Sequence, residues 1–162
     1  MPTVNEHLKS KGVPFELIPH EEAYTSIDEA RSLGIAADEV AKSVVLKTAS
    51  GYALAVVPGT RRLDMKRVRE AVGDKNARLA SEDELHRDFA DYELGALPPL
   101  GSLLGIPAYV DPEVMEHETL VFAAGSQTQS AKARTEDLFR EERPTVTPLA
   151  TRPEPGEKEP LA

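Results

Sequence analysis

Hydrophobic and polar positions switch between helical and strand-like spacing about every ten residues, a rhythm that predicts a mixed α/β fold of the α+β type with no internal repeat. Thr3 can cap a short helix ending near Lys11, where Gly12 breaks it, and Pro14 to Ile18 has the apolar content of a strand closed by Pro19. Ser26-Ile27-Asp28-Glu29 has capping-box spacing, and Ile27, Ala30 and Leu33 follow at helical intervals up to Gly34. Lys42 to Lys47 and Tyr52 to Val57, joined through Ala49-Ser50-Gly51, predict an antiparallel hairpin whose near-continuous apolar character places it centrally. Asp64 can cap a helix through Val72 that ends at Gly73, and Ser81 with Glu84 repeats the capping-box spacing for a helix to about Phe89. A short strand is predicted near Ala77 to Leu79. After a loop from Gly95 to Gly101 come strand candidates Ala108 to Val110, Leu120 to Ala123 and Ser130 to Arg134, and Thr135 caps a last helix to about Glu142.

From Pro144 to Ala162 the chain carries Pro144, Pro148, Pro153, Pro155 and Pro160 among charged and small residues, a composition that predicts a disordered tail behind one domain over residues 1–143. The chain has 162 residues, 40% of them hydrophobic, enough for one apolar core. A formal charge of -9 repels nucleic acid phosphates and anionic membranes overall, so any such contact is local. The charge is uneven. Between Lys42 and Arg78 nine basic residues face three acidic ones, leaving -15 on the rest of the chain. Such a segment either docks the phosphates of one nucleic acid end or is a solvated basic helix, and it does not suit binding along a DNA duplex. The absence of cysteine removes disulfides, thiolate zinc sites and cysteine nucleophiles, and suits a reducing compartment, for which the cytoplasm is the expectation. The N-terminus lacks a basic and apolar leader, and no stretch approaches the ~18 apolar residues of a membrane span, so no membrane contact is expected.

The most unusual local sequence is Gly95-Ala96-Leu97-Pro98-Pro99-Leu100-Gly101. The two prolines stiffen the segment, and the two glycines permit close approaches. Oxyanion-type donors could come only from Gly95, Ala96, Leu97, Leu100 or Gly101, because Pro98 and Pro99 have no N–H. The same loop also serves as a stiff connection between a helix and a strand. Lys42 opens an apolar strand, where its ammonium faces either solvent or a cleft; in a desolvated pocket it either holds a substrate carbonyl as a compact three-donor cation or titrates lower and acts as a base. Lys47 lies on the opposite face of an ideal strand. His7, His20, His86 and His117 are scattered with no zinc spacing, so neither a metal nor a cofactor is expected. His20-Glu21-Glu22 reads as a polar turn, and Asp88, Asp91 and Glu93 read as surface charge. Tyr24, Thr25 and Ser26 supply polar groups in a turn. No Gly-x-Ser-x-Gly elbow, phosphate-binding loop or dinucleotide fingerprint is present.

Ala41-Lys42-Ser43-Val44-Val45-Leu46-Lys47, the loop Gly95 to Gly101, and Val121-Phe122-Ala123-Ala124-Gly125-Ser126 followed by Arg134-Thr135-Glu136-Asp137-Leu138 together resemble the YbaK/ProX family. These are aminoacyl-tRNA deacylases related to the editing domain of bacterial prolyl-tRNA synthetases. The resemblance covers about residues 1 to 142. It implies a curved mixed sheet, partly barrel-like, flanked by helices, with the functional lysine at Lys42 and the substrate-gripping loop at Gly95, Ala96, Leu97, Pro98, Pro99, Leu100 and Gly101. Where some relatives have a histidine after Gly-Ser, this chain has Gln127 after Gly125-Ser126, and an amide can still position water.

An aminoacyl-tRNA is an activated ester, so a positioned water and a polarised carbonyl suffice for its hydrolysis. The resemblance therefore implies a trans-editing deacylase acting on the acceptor end of a tRNA mischarged with a small residue of the Ala, Ser, Cys, Thr or Pro class. Lys42 would stabilise developing charge, and Arg61, Arg62, Lys66, Arg67 and Arg69 would meet acceptor-stem phosphates. With a net charge of -9, delivery by a synthetase or elongation factor is the expectation. The competing readings are a small-ligand or tRNA-end binding module without turnover, and a hydrolase of another aminoacyl ester.

Overall fold

The computed structural model describes residues 2–151. Thr3 opens helix α1 (Val4–Ser10) with a capping box to Glu6 and turns Val4 and Leu8 into the core. Strand β1 (Phe15–Pro19) leads to α2 (Ser26–Leu33). Here the cap is Thr25 rather than Ser26: Thr25 Oγ1 accepts from the Asp28 N–H at 3.1 Å. Ser26 is thus the first helical residue, and Glu29, expected to complete a capping box, is buried instead. A 3-10 turn at Ala37–Glu39 feeds the hairpin of β2 (Ala41–Thr48) and β3 (Gly51–Pro58). Helix α3 (Met65–Val72) is capped by Asp64 and stopped by left-handed Gly73, and β4 (Arg78–Leu79) precedes α4 (Glu82–Asp88) with its Ser81–Glu84 capping box.

The second half adds α5 (Gly101–Leu104), β5 (Ala108–Val110), α6 (Pro112–Met115), β6 (Thr119–Ser126), β7 (Gln129–Arg134), α7 (Thr135–Glu142) and β8 (Thr145–Val146). Gly101 is therefore a helical residue and not the end of an extended loop. Thr135 is not a cap either. The cap position is Arg134, which makes no side-chain cap bond, and the Thr135 hydroxyl donates to the His117 carbonyl at 2.5 Å.

The strands form two sheets, ordered β1-β7-β6 and β4-β2-β3-β5-β8. A parallel bridge, Val40 to Val121, links them. Among the described residues no sheet closes, so the barrel-like part of the expectation is not borne out. The hairpin strand β2 has β3 along one edge and β4 along part of the other, and β6 meets the residue before β2 at the Val40 bridge. β2 and β3 bury alternate residues on both faces. Val45, Leu54 and Val56 pack towards Leu120, Phe122, Ala131 and Ala133 of the smaller sheet. Leu46, Ala53, Ala55 and Val57 pack under Val68 of α3, Leu149 and Ala150. A strand pair covered on both faces reads as the continuous apolar run noted in the sequence.

The segment expected to begin the tail belongs to the fold as far as Ala150. β8 pairs parallel to β5, and Leu149 and Ala150 are fully buried. The buried Asp111 carboxylate accepts from the Leu149 and Ala150 N–H groups at 2.9 and 3.0 Å. Val146, Leu149 and Ala150 are few apolar residues among prolines, so composition alone hides them. The rest of the expected tail, residues 152–162, lies outside the described residues.

Candidate active site

A cleft of about 410 Å³ opens between the start of α2, the start of β2 and the loop after α4. Its size suits a small ligand. Lys42 lines it, half-buried, with Nζ donating to the Arg61 carbonyl at 2.8 Å, which leaves two of its three N–H donors for a ligand. Burial holds the Lys42 pKa below the usual lysine value, and the nearby Arg62 charge adds to the effect. Ser43 lines the same wall, and its buried Oγ has no partner among the described residues. Lys47 is elsewhere, its ammonium 4.4 Å from the centre of the Tyr52 ring.

Tyr24, Thr25 and Ser26 form one rim, and Gly95 and Leu97 form the other. The rims touch. Gly95 has φ +77°, and a Cβ there would lie 2.2 Å from the Tyr24 carbonyl oxygen, so only glycine allows this approach. The Ala96 N–H is committed to the Glu93 carbonyl at 3.0 Å, whereas those of Gly95 and Leu97 donate to no acceptor among the described residues. The remainder of the expected gripping loop does not line the cleft. Ala96, Pro98, Pro99, Leu100 and Gly101 are buried behind it. Leu100 is a core residue, and a Cβ on Gly101 would lie 2.6 Å from the Ile106 carbonyl. The prolines therefore back the loop from inside instead of presenting a wall.

Glu29, unassigned in the sequence beyond its capping-box position, lines the cleft as well. It is 5% exposed, and the hydroxyl of fully buried Ser130 donates to its Oε2. Ser130 Oγ also lies 2.7 Å from His20 Nε2, and His20 Nδ1 lies 2.6 Å from the Glu21 carbonyl. Burial pushes the Glu29 pKa up, opposed by the Ser130 hydrogen bond and the charge of His20. His20, read as part of a polar turn, thus reaches the cleft through one hydroxyl. A polar residue at the buried end of α2 was the only sequence signal for this chain of contacts.

With this geometry, the profile of the aminoacyl-tRNA editing domain family matches residues 20–141. The chain belongs to that family. It is 30% identical over 107 residues to a proline–tRNA ligase of Fervidobacterium nodosum, covering 66% of this chain and 18% of the ligase. It is 26% identical over 114 residues to EbsC of Enterococcus faecalis, named as a candidate Cys-tRNA(Pro)/Cys-tRNA(Cys) deacylase, covering 70% and 69% of the two chains. Its fold matches the crystal structure of a candidate trans-editing enzyme for prolyl tRNA synthetase with a TM-score of 0.81 at 22% identity, over 94% of this chain and 99% of that one.

In this editing domain Gly125, Ser126 and Gln127 lie outside the cleft. Ser126 Oγ lies 3.2 Å from Thr128 Oγ1, and the Gly125 N–H donates to the Ala96 carbonyl at 3.0 Å. Gln127 is buried and does not line the cleft, so it is not placed to position a water there. Its Nε2 donates to the Leu94 carbonyl at 2.8 Å, its backbone N–H to Glu93 Oε1 at 2.9 Å, and its carbonyl accepts from the Ala23 N–H at 2.7 Å. Gln127 therefore ties together the residues that precede Gly95 and Tyr24.

The basic residues divide. Arg61 is 9% exposed and pairs bidentately with Glu113 at 3.1 and 3.2 Å, so it is a structural cation and not a surface phosphate contact. Arg67 pairs with Asp64 at 3.4 Å, and Arg69 Nε donates to the Ala77 carbonyl at 2.9 Å. Arg62 and Lys66 are exposed, and of the five only Arg62 acts electrostatically on Lys42. Among the described residues no group of three or more His, Cys, Asp or Glu could hold a metal ion, and no helix is long and apolar enough to cross a membrane.

Proposed function

We propose that this chain is a metal-independent deacylase that hydrolyses, in trans, the ester of a tRNA mischarged with a small amino acid. The observation that carries this reading is the meeting of Lys42, Ser43, Gly95 and Leu97 in one cleft of about 410 Å³. Lys42 and the free amides of Gly95 and Leu97 are suited to hold an ester carbonyl and the oxyanion that forms as water adds. The apolar rest of the cleft, including Val44, Leu79 and Ala123, suits side chains of the Ala, Ser, Cys, Thr or Pro class. The name of EbsC puts Cys first among these. Arg62 and Lys66 are the basic residues left for acceptor-end phosphates. Because the net charge of -9 disfavours long-range steering to tRNA, a synthetase or elongation factor delivers the substrate, in the cytoplasm.

The test is hydrolysis of tRNAs charged with each of the five amino acids by wild type and Lys42→Ala, against the enzyme-free rate. Turnover of one or two species, reduced at least ~tenfold by the substitution, or about 1.4 kcal/mol of barrier, is the expected result. Wild-type rates equal to background on every charged tRNA would overturn it.

A further inference from the structure

We infer that Glu29 is the base that takes the proton of the hydrolytic water, and that Ser130 and His20 are positioning residues that hold its carboxylate ionised. This rests on the deacylase reading and adds to it a carboxylate base in the cleft that Lys42 lines, where Lys42 Nζ is engaged as a donor to the Arg61 carbonyl.

The hydrogen-bond directions support the assignment. A carbonyl oxygen only accepts, so His20 Nδ1 must carry a proton to bond the Glu21 carbonyl. The single hydroxyl proton of Ser130 points to Glu29 Oε2, so Ser130 Oγ is left to accept from His20 Nε2. The row then runs from the His20 ring through the Ser130 hydroxyl to the Glu29 carboxylate. Fully buried Ser130 cannot be a nucleophile. Its place between the ring and the carboxylate makes it a bridge. Glu29 Oε1 receives no hydrogen bond among the described residues, while the residue lines the cleft that Lys42 enters. A carboxyl poised above the ordinary carboxylate range by burial is closer to the pH at which a general base works well.

The step balances. Water oxygen bonds to the ester carbonyl carbon as its proton passes to Glu29 Oε1, and the oxyanion is held by Lys42. As the carbon–oxygen bond to the ribose breaks, the proton on Glu29 passes to the ribose oxygen. The amino acid leaves as its acid, ionises in water, and Glu29 is again a carboxylate. The other ionisable groups at the cleft are Lys42 on β2 and Tyr24 on the rim, while Asp38 of the 3-10 turn points to His117 at 4.0 Å.

The experiment measures kcat/KM against pH for the charged tRNA that wild type hydrolyses best, in wild type, Glu29→Gln, His20→Gln and Ser130→Ala, with melting curves for each. Glu29→Gln is expected to lose about 100-fold or more at neutral pH and to lose the limb that rises with pH. His20→Gln can still donate to Ser130 but carries no charge. Because the His20 charge favours ionised Glu29, that limb is expected to move to higher pH, and Ser130→Ala is expected to move it the same way. A folded Glu29→Gln within about threefold of wild type, with an unchanged profile, overturns the assignment and leaves the Lys42-dependent deacylase standing. If Glu29→Gln does not fold, an unshifted limb in both His20→Gln and Ser130→Ala overturns it instead. Wild type at background on every charged tRNA overturns both readings.

Discussion

Glu29 gives up stability by being ionised where it sits. Its folded pKa lies above the unfolded 4.5, mainly through burial, so between those two values the native state binds more protons than the unfolded chain, and stability falls as pH rises through that window. Glutamine keeps a partner for Ser130 and has no charge to desolvate. Glu29→Gln is therefore expected to melt at a higher temperature than wild type near about pH 7.5, with the gap closing below about pH 4.5 where the carboxyl is neutral in both states. Thermal melts of the two proteins across that range check it, and a gap independent of pH would show that the charge is not the cause. Gly95 shows the other side of residue-scale reasoning. Its neighbours Pro98 and Pro99 drew attention to the loop, yet what singles it out is the Tyr24 carbonyl 2.2 Å from where its Cβ would be, a partner far off in the chain.

Between elements, the contact that couples the cleft to the rest of the fold runs through α6. Asp111 caps it, accepting from the Glu113 N–H at 3.0 Å through Oδ1, while Oδ2 takes the N–H groups of Leu149 and Ala150. Glu113 in turn holds Arg61, whose carbonyl accepts from Lys42. Asp111→Ala strands buried N–H donors and frees the segment that covers Leu46 and Val57, so it is expected to destabilise the protein by about 3 kcal/mol or more. Urea unfolding measures that loss, and limited proteolysis should then cut between α7 and Ala150. An Asp111→Ala protein as stable as wild type, still protected there, would mean that packing alone holds the segment. The caps at Thr3, Asp64 and Ser81 and the central hairpin were legible because each rests on bonds within a few residues or on a run of adjacent side chains. The α2 start was misassigned by one residue because Thr25 and Ser26 can both cap and serine is locally the better of the two, whereas the fold starts the helix after Thr25 with Glu29 buried.

For the whole molecule, charge decides how tRNA can be met. A chain of net charge -9 gains little from general attraction, so the proposed function assigns the contact to exposed cations such as Arg62, which acts electrostatically on Lys42. Arg62→Ala is expected to weaken tRNA binding and reduce the slope of log K against log salt by nearly one, as read by binding titrations at several salt concentrations. Arg61→Ala breaks the buried pair with Glu113 and is expected to appear as lost stability. An unchanged salt slope in Arg62→Ala would place the acceptor end elsewhere.

By itself the sequence determined the order and type of most elements, the lysine at the head of an apolar strand, and the glycine-bounded loop, because caps, turns and alternation are short-range physics. Tertiary structure decided which groups meet. It made two sheets where one was expected, placed Pro98, Pro99, Leu100 and Gly101 behind the loop, and turned Gln127 into a tie between rims. It also brought Ser130 to Glu29 across 101 residues and to His20 across 110. Such contacts depend on where the chain returns after burying its apolar faces, and no local spacing encodes that return.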